Sequence, residues 1–184
     1  MRARRCFIDC GDVYLRMLER EDADGNYLHW FDDEEVCRHN SHHRFPLGRD
    51  SLIAYASESA ADRSRLVMAI VHRVEDVHIG NVSLQGIDYV SRSAELAIII
   101  GEKDYWGKGY GRKASQYMVD HAFDSLNLRR VHCGTLEDNL GMQRICAALG
   151  FSKEGVRRKA EYKGGSYLDV IEYGLLREEW VSRA

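Results

Sequence analysis

The residues best suited to chemistry lie between 94 and 126, where an apolar run, AELAIII, leads into GEKDYWGKGYG and then RKASQYMVDHAFDSL. This order predicts a strand, a glycine-rich turn and a helix, which together form a socket for an anion. Gly107, Gly109 and Gly111 let the backbone pass close to a ligand. A helix opening there leaves its first N–H groups unpaired at its positive end, a natural seat for a pyrophosphate. Lys108 and Arg112 stand where they can add charge at the rim, or simply be a solvated surface pair. The spacing G-x-G-x-G, deep in the chain and after antiparallel strands, departs from the G-x-G-x-x-G of dinucleotide-binding units. Gly107-Lys108-Gly109 lacks the Ser or Thr that a Walker A loop places on Mg²⁺.

Other candidate groups surround this socket. Glu95 is the one charged side chain in the strand at 94–100. Two readings stand for it: a general base raised toward a useful pKa by burial, or a structural partner of Arg92 or Arg130. The polar stretch 32–48 reads either as a substrate-facing loop or as a plain connection. With Trp30 before it, this stretch carries an acidic start, Asp32 to Glu35, then a basic group, His39, His42, His43 and Arg44. Trp30, His42 and His43 are the candidates for acceptor binding, and the two histidines are secondary candidates for a base. The five cysteines form no CxxC pair and are odd in number, and the histidines form no HExxH, so neither a disulfide framework nor a metal site is expected.

The elements that must position these groups follow from the pattern of the chain. Its 184 residues suit one domain over 1–184, and 45% apolar with 30% charged residues is ordinary for a soluble globular fold. A formal charge of −3 supplies no field for nucleic acid or an anionic membrane. No apolar run is long enough to span a bilayer or to form a signal peptide, which points to the cytoplasm. Strands are expected at 13–17, 66–73, 78–85, 93–100 and 129–135, with a closing hairpin at 155–162 and 167–176 around Gly164 and Gly165. Helices are expected at 22–31, 49–60, from the glycine turn through about 126, and at 139–149, stopped by Gly150. Ala114, Met118 and Ala122 recur four apart, as a buried stripe should. An antiparallel front followed by crossovers gives an α/β fold: a mixed, mostly antiparallel sheet with helices on both faces.

Two signatures together resemble the Gcn5-related N-acetyltransferases, GNAT, in the branch that includes ribosomal-protein alanine and spermidine acetyltransferases. The first is the family's Q/R-x-x-G-x-G/A motif, matched by Trp106-Gly107-Lys108-Gly109-Tyr110-Gly111 with Trp106 in place of the usual first residue. The second is Asn, a helix, then Gly-Phe, matched by Asn139-Leu140-Gly141-Met142 and Leu149-Gly150-Phe151. The likeness runs over nearly the whole chain. It implies an enzyme that uses acetyl-CoA as co-substrate, without metal. Trp106 through Arg112 would hold its pyrophosphate. The pantetheine arm would lie between two splayed central strands, pairing with the edge that carries Leu96, Ile98, Ile99 and Ile100. Arg130 to Thr135 would be the second strand. Asn139 would hold the arm or cap its helix.

The resemblance also implies direct attack by a neutral amine, with Glu95 as the base. The position of the family's acidic tyrosine is Cys146 here, in the apolar pattern Ile145, Cys146, Leu149. A packed thiol is expected, and Tyr162 or Tyr167 can supply a hydroxyl from elsewhere, so the acid stays unassigned. WFDDEEV resembles acetyltransferases of amino sugars on nucleotide carriers. The expected acceptor is therefore the primary amine of a small molecule, a nucleotide-linked amino sugar foremost, with polyamines and protein N-termini as alternatives. A non-catalytic coenzyme A-binding module is the alternative of another class. No nucleic-acid or membrane partner is expected, and a homodimer is compatible with the reading.

Overall fold

A computed structural model describes residues 5–180. Among them, eight strands form one sheet in the order β1-β2-β3-β4-β5-β6-β8-β7. The strands are β1 (Ile8–Asp9), β2 (Val13–Met17), β3 (Leu66–His72), β4 (Val77–Asp88), β5 (Ser93–Ile100), β6 (Arg130–Leu136), β7 (Ser152–Lys163) and β8 (Ser166–Leu176). Three helices join them: α1 (Arg49–Ala61), α2 (Tyr110–Asp124) and α3 (Leu140–Leu149). Every neighbouring pair is antiparallel except β5 and β6. That parallel pair needs the crossover that α2 supplies.

Alternation along the strands splits the core into two layers. Val13 and Leu15 of β2, Met68 and Ile70 of β3, Val82 and Leu84 of β4, and Ala94 and Leu96 of β5 face one way. They meet the buried stripe of α2, Ala114, Met118, Ala122 and Phe123, and the Met142, Cys146 and Leu149 side of α3. Burying a side chain such as Phe123 is worth about 1.5–3 kcal/mol. The intervening residues Tyr14, Val67, Ala69 and Val71 face the other way, against Trp30, Phe31 and the Leu52 and Ala56 side of α1. Helices thus cover both faces, as the α/β pattern predicts.

One expected helix does not form. Residues 22–31 make two 3₁₀ turns instead, Arg20–Asp24 and His29–Phe31. Gly25 and Asn26 interrupt the helical run, and Asp22 is drawn down onto the sheet. Its carboxylate accepts from Arg16 Nη1 at 2.8 Å and Nη2 at 2.6 Å, and from the Glu19 N–H at 2.8 Å. Arg16 is only 1% exposed, so the pair is a buried one and is strongly held. The chain there follows the sheet rather than its own helical period.

At the far edge, β7 is mostly exposed on both faces and carries Arg157, Arg158, Lys159 and Glu161. Its register against β8 shifts twice, between Lys153 and Gly155 and between Arg157 and Glu161. Charges and bulges of this kind keep an open edge from pairing with another chain.

Candidate active site

The centre of the sheet opens. β5 and β6 pair only at Ser93–Arg130, Ala94–Val131 and Glu95–His132. Beyond Glu95, β5 stays bonded to β4 as far as Ile100, while β6 runs on against β8 as far as Leu136. The edge from Leu96 to Ile100 is left facing a cleft of about 870 Å³. Buried backbone groups need partners, and an extended ligand carrying amides can supply them as an added strand does.

At one end of the cleft lies the glycine turn. Gly107 and Gly109 have φ of 71° and 84°, the left-handed region, and a Cβ on either would point into open space. Helix α2 begins at Tyr110, and its first turn has no residue behind it to accept. Among the described residues, none of the six N–H groups from Gly107 to Arg112 has an acceptor; the flanking donors are Trp106, to Lys103 O, and Lys113, to Gly109 O. Six consecutive free donors at a helix N-terminus fit a diphosphate. Below them Gly111 fits closely against Ile98, Ile100 and Ile145. Trp106 Nε1 donates to Ile100 O at 2.8 Å and so ties the turn to the end of β5. Arg112 lines the cleft, and Arg144 of α3 joins it there. Lys108 lies outside the lining, its Nζ 5.4 Å above the Tyr105 ring.

Asn139 sits at the start of α3 and accepts from Met142 N at 3.1 Å. It is a helix cap, worth about 1 kcal/mol, and it also lines the cleft wall. Both readings of that residue therefore have a geometric basis. Glu95 lies at the fork where the pairing of β5 with β6 ends, is half-buried and faces the cleft. The arginines considered as its partners are engaged elsewhere: Arg92 with Asn127 and Arg130 with Glu154.

Cys146 turns away from the cleft. Its sulfur is 3.4 Å from that of Cys133, and both residues are fully buried. The Cys146 thiol beside it, together with burial, pushes Cys133 well above the ordinary thiol range. Tyr162 and Tyr167 meet edge to face with ring centroids 5.0 Å apart and are exposed.

The other end of the cleft, the candidate acceptor end, is walled by the 32–48 segment and by the β7–β8 hairpin. Glu35, His39, Arg44, Arg157, Glu161 and Lys163 line it. Arg44 donates to Glu161 at 2.8 Å, Arg157 to Glu172 at 2.5 Å, and Lys163 to Cys37 O at 2.7 Å and to Asn40 O. Trp30, His42 and His43, the residues expected to bind the acceptor, are not among those that line the cleft. Trp30 is 3% exposed and packs flat over Gly101, where any Cβ would overlap its ring, with Nε1 donating to Glu102 at 2.8 Å. His42 packs on Phe31, and His43 Nδ1 contacts Phe31 O at 2.8 Å. Both histidines are exposed. Sequence had marked this segment, but not which of its side chains turn inward. Glu161, Lys163 and Arg157 carried no signal at all, because their partners are remote in sequence or on the facing strand.

Among the described residues no group of three or more His, Cys, Asp or Glu is placed to hold a metal ion, and no helix is long and apolar enough to cross a membrane.

Comparison with known proteins agrees with this architecture. Residues 12–152 match the family model described as an acetyltransferase (GNAT) domain. An uncharacterized N-acetyltransferase, p20, of Bacillus licheniformis is 31% identical over 169 residues, covering 90% of this chain and 93% of that protein. A spermidine N(1)-acetyltransferase of Escherichia coli K12 is 28% identical, covering 92% and 89%. The crystal structure of the spermidine N-acetyltransferase from Vibrio cholerae, in complex with CoA and spermine, superposes with a TM-score of 0.83 over 93% of this chain and 99% of that one, at 24% identity. The splayed sheet, the open glycine turn and the match across most of the chain lead to one assignment: this chain belongs to the GNAT acetyltransferase family.

Proposed function

We propose that the chain transfers an acetyl group from acetyl-CoA to a primary amine of a small flexible molecule, a polyamine in preference to a nucleotide-linked amino sugar. The observation that carries the reading is the fork after Glu95 and His132, which joins an anion socket to a charged acceptor chamber through one cleft. The six free N–H groups suit the diphosphate, Arg112 and Arg144 its charge, and the edge from Leu96 to Ile100 the amide-bearing arm. Bound there, acetyl-CoA supplies an activated thioester.

The chain's own work is to position the amine and remove its proton. An ammonium has no lone pair, so a base must act before attack. Glu95, at the fork and without an ion-pair partner among the described residues, is placed to take that proton directly or through a water. Cys146, buried against Cys133, is packing in this scheme, and the thiolate leaves without an assigned protein acid.

Two kinds of observation favour a polyamine. Relatives along most of the chain are named spermidine N(1)-acetyltransferases. Three carboxylates, Glu35, Glu95 and Glu161, line the cleft; Glu35 is paired with Lys103 and Glu161 with Arg44, while Glu95 has no ion-pair partner among the described residues. A polyamine offers one amine for acetylation and further ammonium groups for such carboxylates. The nucleotide-sugar reading relied on the basic cluster as a phosphate site. His42 and His43 instead rest on Phe31, and Arg44 is neutralised by Glu161.

Coenzyme A release should be compared across spermidine, a nucleotide-linked amino sugar and short peptides with free N-termini at one ionic strength. Spermidine is expected to lead in kcat/KM by at least about tenfold, or 1.4 kcal/mol. A tenfold lead for the peptides would replace this reading with N-terminal acetylation. Binding of coenzyme A without turnover of any amine would leave a binding module.

A further inference from the structure

The glycine turn is flanked by two tyrosines that line the cleft and are held by side chains that do not. Tyr105 precedes the turn and Tyr110 follows it. The Tyr110 hydroxyl lies 3.2 Å from Nε2 of His72, at the end of β3. The Tyr105 hydroxyl donates to Oε2 of Glu75, in the β3–β4 turn. His72 Nδ1 is 3.2 Å from that same Glu75 oxygen, out of line for a good hydrogen bond. The three rings form a cluster, with centroids 5.2 Å apart for His72–Tyr105, 5.4 Å for His72–Tyr110 and 6.1 Å for Tyr105–Tyr110. The Glu75 carboxylate pushes the Tyr105 phenol up to about 12, so it remains a donor across the physiological range.

The platform on the other side is itself fixed. Arg73, next to His72, donates to Asp9 at 2.5 Å and to Gly11 O. Tyr14 donates to Asp76 at 2.6 Å. Lys113, in the first turn of α2, donates to Asp12 at 2.6 Å. The β3–β4 turn is therefore tied to β1 and β2, and α2 is tied to the same corner.

We propose that His72 and Glu75 are positioning residues for the coenzyme: they pin Tyr110 and Tyr105 on either side of Gly107–Gly109 and so hold the six free N–H groups in the arrangement a diphosphate needs. The physical reason is preorganisation. Two left-handed glycines have wide conformational freedom, and a ligand that had to order them would lose affinity to that ordering. Anchors on both flanks limit the freedom before the ligand arrives. His72 and Glu75 lie outside the cleft lining, so their effect must travel through the two tyrosines. The proposal rests on the reading of the turn as the coenzyme site.

Calorimetric titration with coenzyme A, with steady-state kinetics on the same proteins, tests it. Tyr110→Phe removes one hydroxyl and keeps the ring, so it is the variant least able to disturb folding. It should weaken coenzyme A about fivefold, and His72→Leu about tenfold. His72→Gln, which returns a polar atom near the Nε2 position, should recover most of the loss. The double variant His72→Leu/Tyr110→Phe should be no weaker than His72→Leu alone, since both cut one link. The change should fall on KM for acetyl-CoA and not on KM for the amine. Gly109→Val serves as the reference that strikes the socket directly. If Gly109→Val weakens coenzyme A while Tyr110→Phe, Tyr105→Phe and His72→Leu leave it within about 1.5-fold, the brace is refuted and the socket stands. If Gly109→Val also leaves it unchanged, the socket reading fails and the brace with it.

Discussion

From Leu96 to Arg112 the cleft is bordered by a strand edge that has left β6 and by the glycine turn, whereas at the proposed acceptor end it is walled by charged side chains reaching across the molecule. The half proposed for the coenzyme needs only a strand that loses its neighbour, two left-handed glycines and the start of a helix, between Glu95 and Arg112. The acceptor half depends on Arg44–Glu161, 117 residues apart, and on Lys163 with Cys37, 126 apart. A site whose donors are backbone N–H groups depends on side chains only through those that brace it, so one coenzyme can be kept while acceptors change. A site built of long-range ion pairs is tuned by single substitutions. The two halves should respond differently to mutation.

The sharpest way to break the comparison is to remove what the acceptor half stands on. The buried Arg16–Asp22 pair fastens the first 3₁₀ turn to the sheet on that face. Asp22→Asn leaves Arg16 buried without its counter-charge and should cost about 3–5 kcal/mol in denaturant unfolding at pH 7. Burial by itself would raise the carboxyl of Asp22, but hydrogen bonds from Arg16 and His78 outweigh it and hold the group well below the usual carboxylate range. A folded-state pKa depressed in this way stabilises above the unfolded value, about 3.9, and the benefit fades as pH falls from there toward the folded value. The wild type should therefore lose stability below about pH 4 along a limb that the variant lacks. Equal acid limbs would mean that the pair contributes nothing.

Glu95 stands where the two halves meet, and its replacement sharpens the contrast. Glu95→Gln keeps the shape of the side chain and removes the proton acceptor. Turnover should fall by about 10² or more, while coenzyme A affinity stays near wild type. A fall of less than threefold from pH 6 to 9 would return Glu95 to a structural role.

The same contrast explains what was legible in the sequence. β5 was expected at 93–100 and spans Ser93–Ile100; α3 was expected from Asn139 to Leu149 with Gly150 as its stop, and Asn139 and Gly150 are its caps. These features carry local signals: apolar runs, a capping residue, a glycine in the left-handed region. The helix expected at 22–31 failed because tertiary contacts decide that segment. The attraction of Asp22 to Arg16 and the burial of Trp30 against Gly101 outweigh a weak helical period broken at Gly25. The acceptor wall was hidden for a related reason. Which of His39, His42, His43 and Arg44 turns inward depends on a hairpin more than a hundred residues later, and periodicity carries no such information.

A more selective perturbation of the acceptor half is Lys163→Met. The ammonium of Lys163 holds two carbonyls of the 32–48 segment, those of Cys37 and Asn40, and the aliphatic replacement keeps only the stem. Loss of both hydrogen bonds should loosen the chamber and raise KM for the amine about fivefold, or about 1 kcal/mol, since only part of their worth bears on the amine. Coenzyme A affinity should not move, because the socket lies at the other end of the cleft. Equal losses for both ligands would show that the two halves are one mechanical unit.

The smallest effect is expected at Cys146, in the coenzyme half, at the position where the family carries its acid. Its sulfur contacts Cys133 inside the core shared by β6, α2 and α3, and no part of it lines the cleft. Cys146→Ala removes one buried atom beyond Cβ, so the loss is the packing of a sulfur, about 1 kcal/mol of stability. Turnover and its alkaline limb should match wild type, since a thiol facing the core cannot reach a leaving group in the cleft. The comparison predicts this indifference: where the backbone makes the site, the side chains beneath it set stability rather than rate. A hundredfold loss of turnover in a folded Cys146→Ala protein would put the thiol in the reaction and would make the coenzyme half as dependent on side chains as the acceptor half.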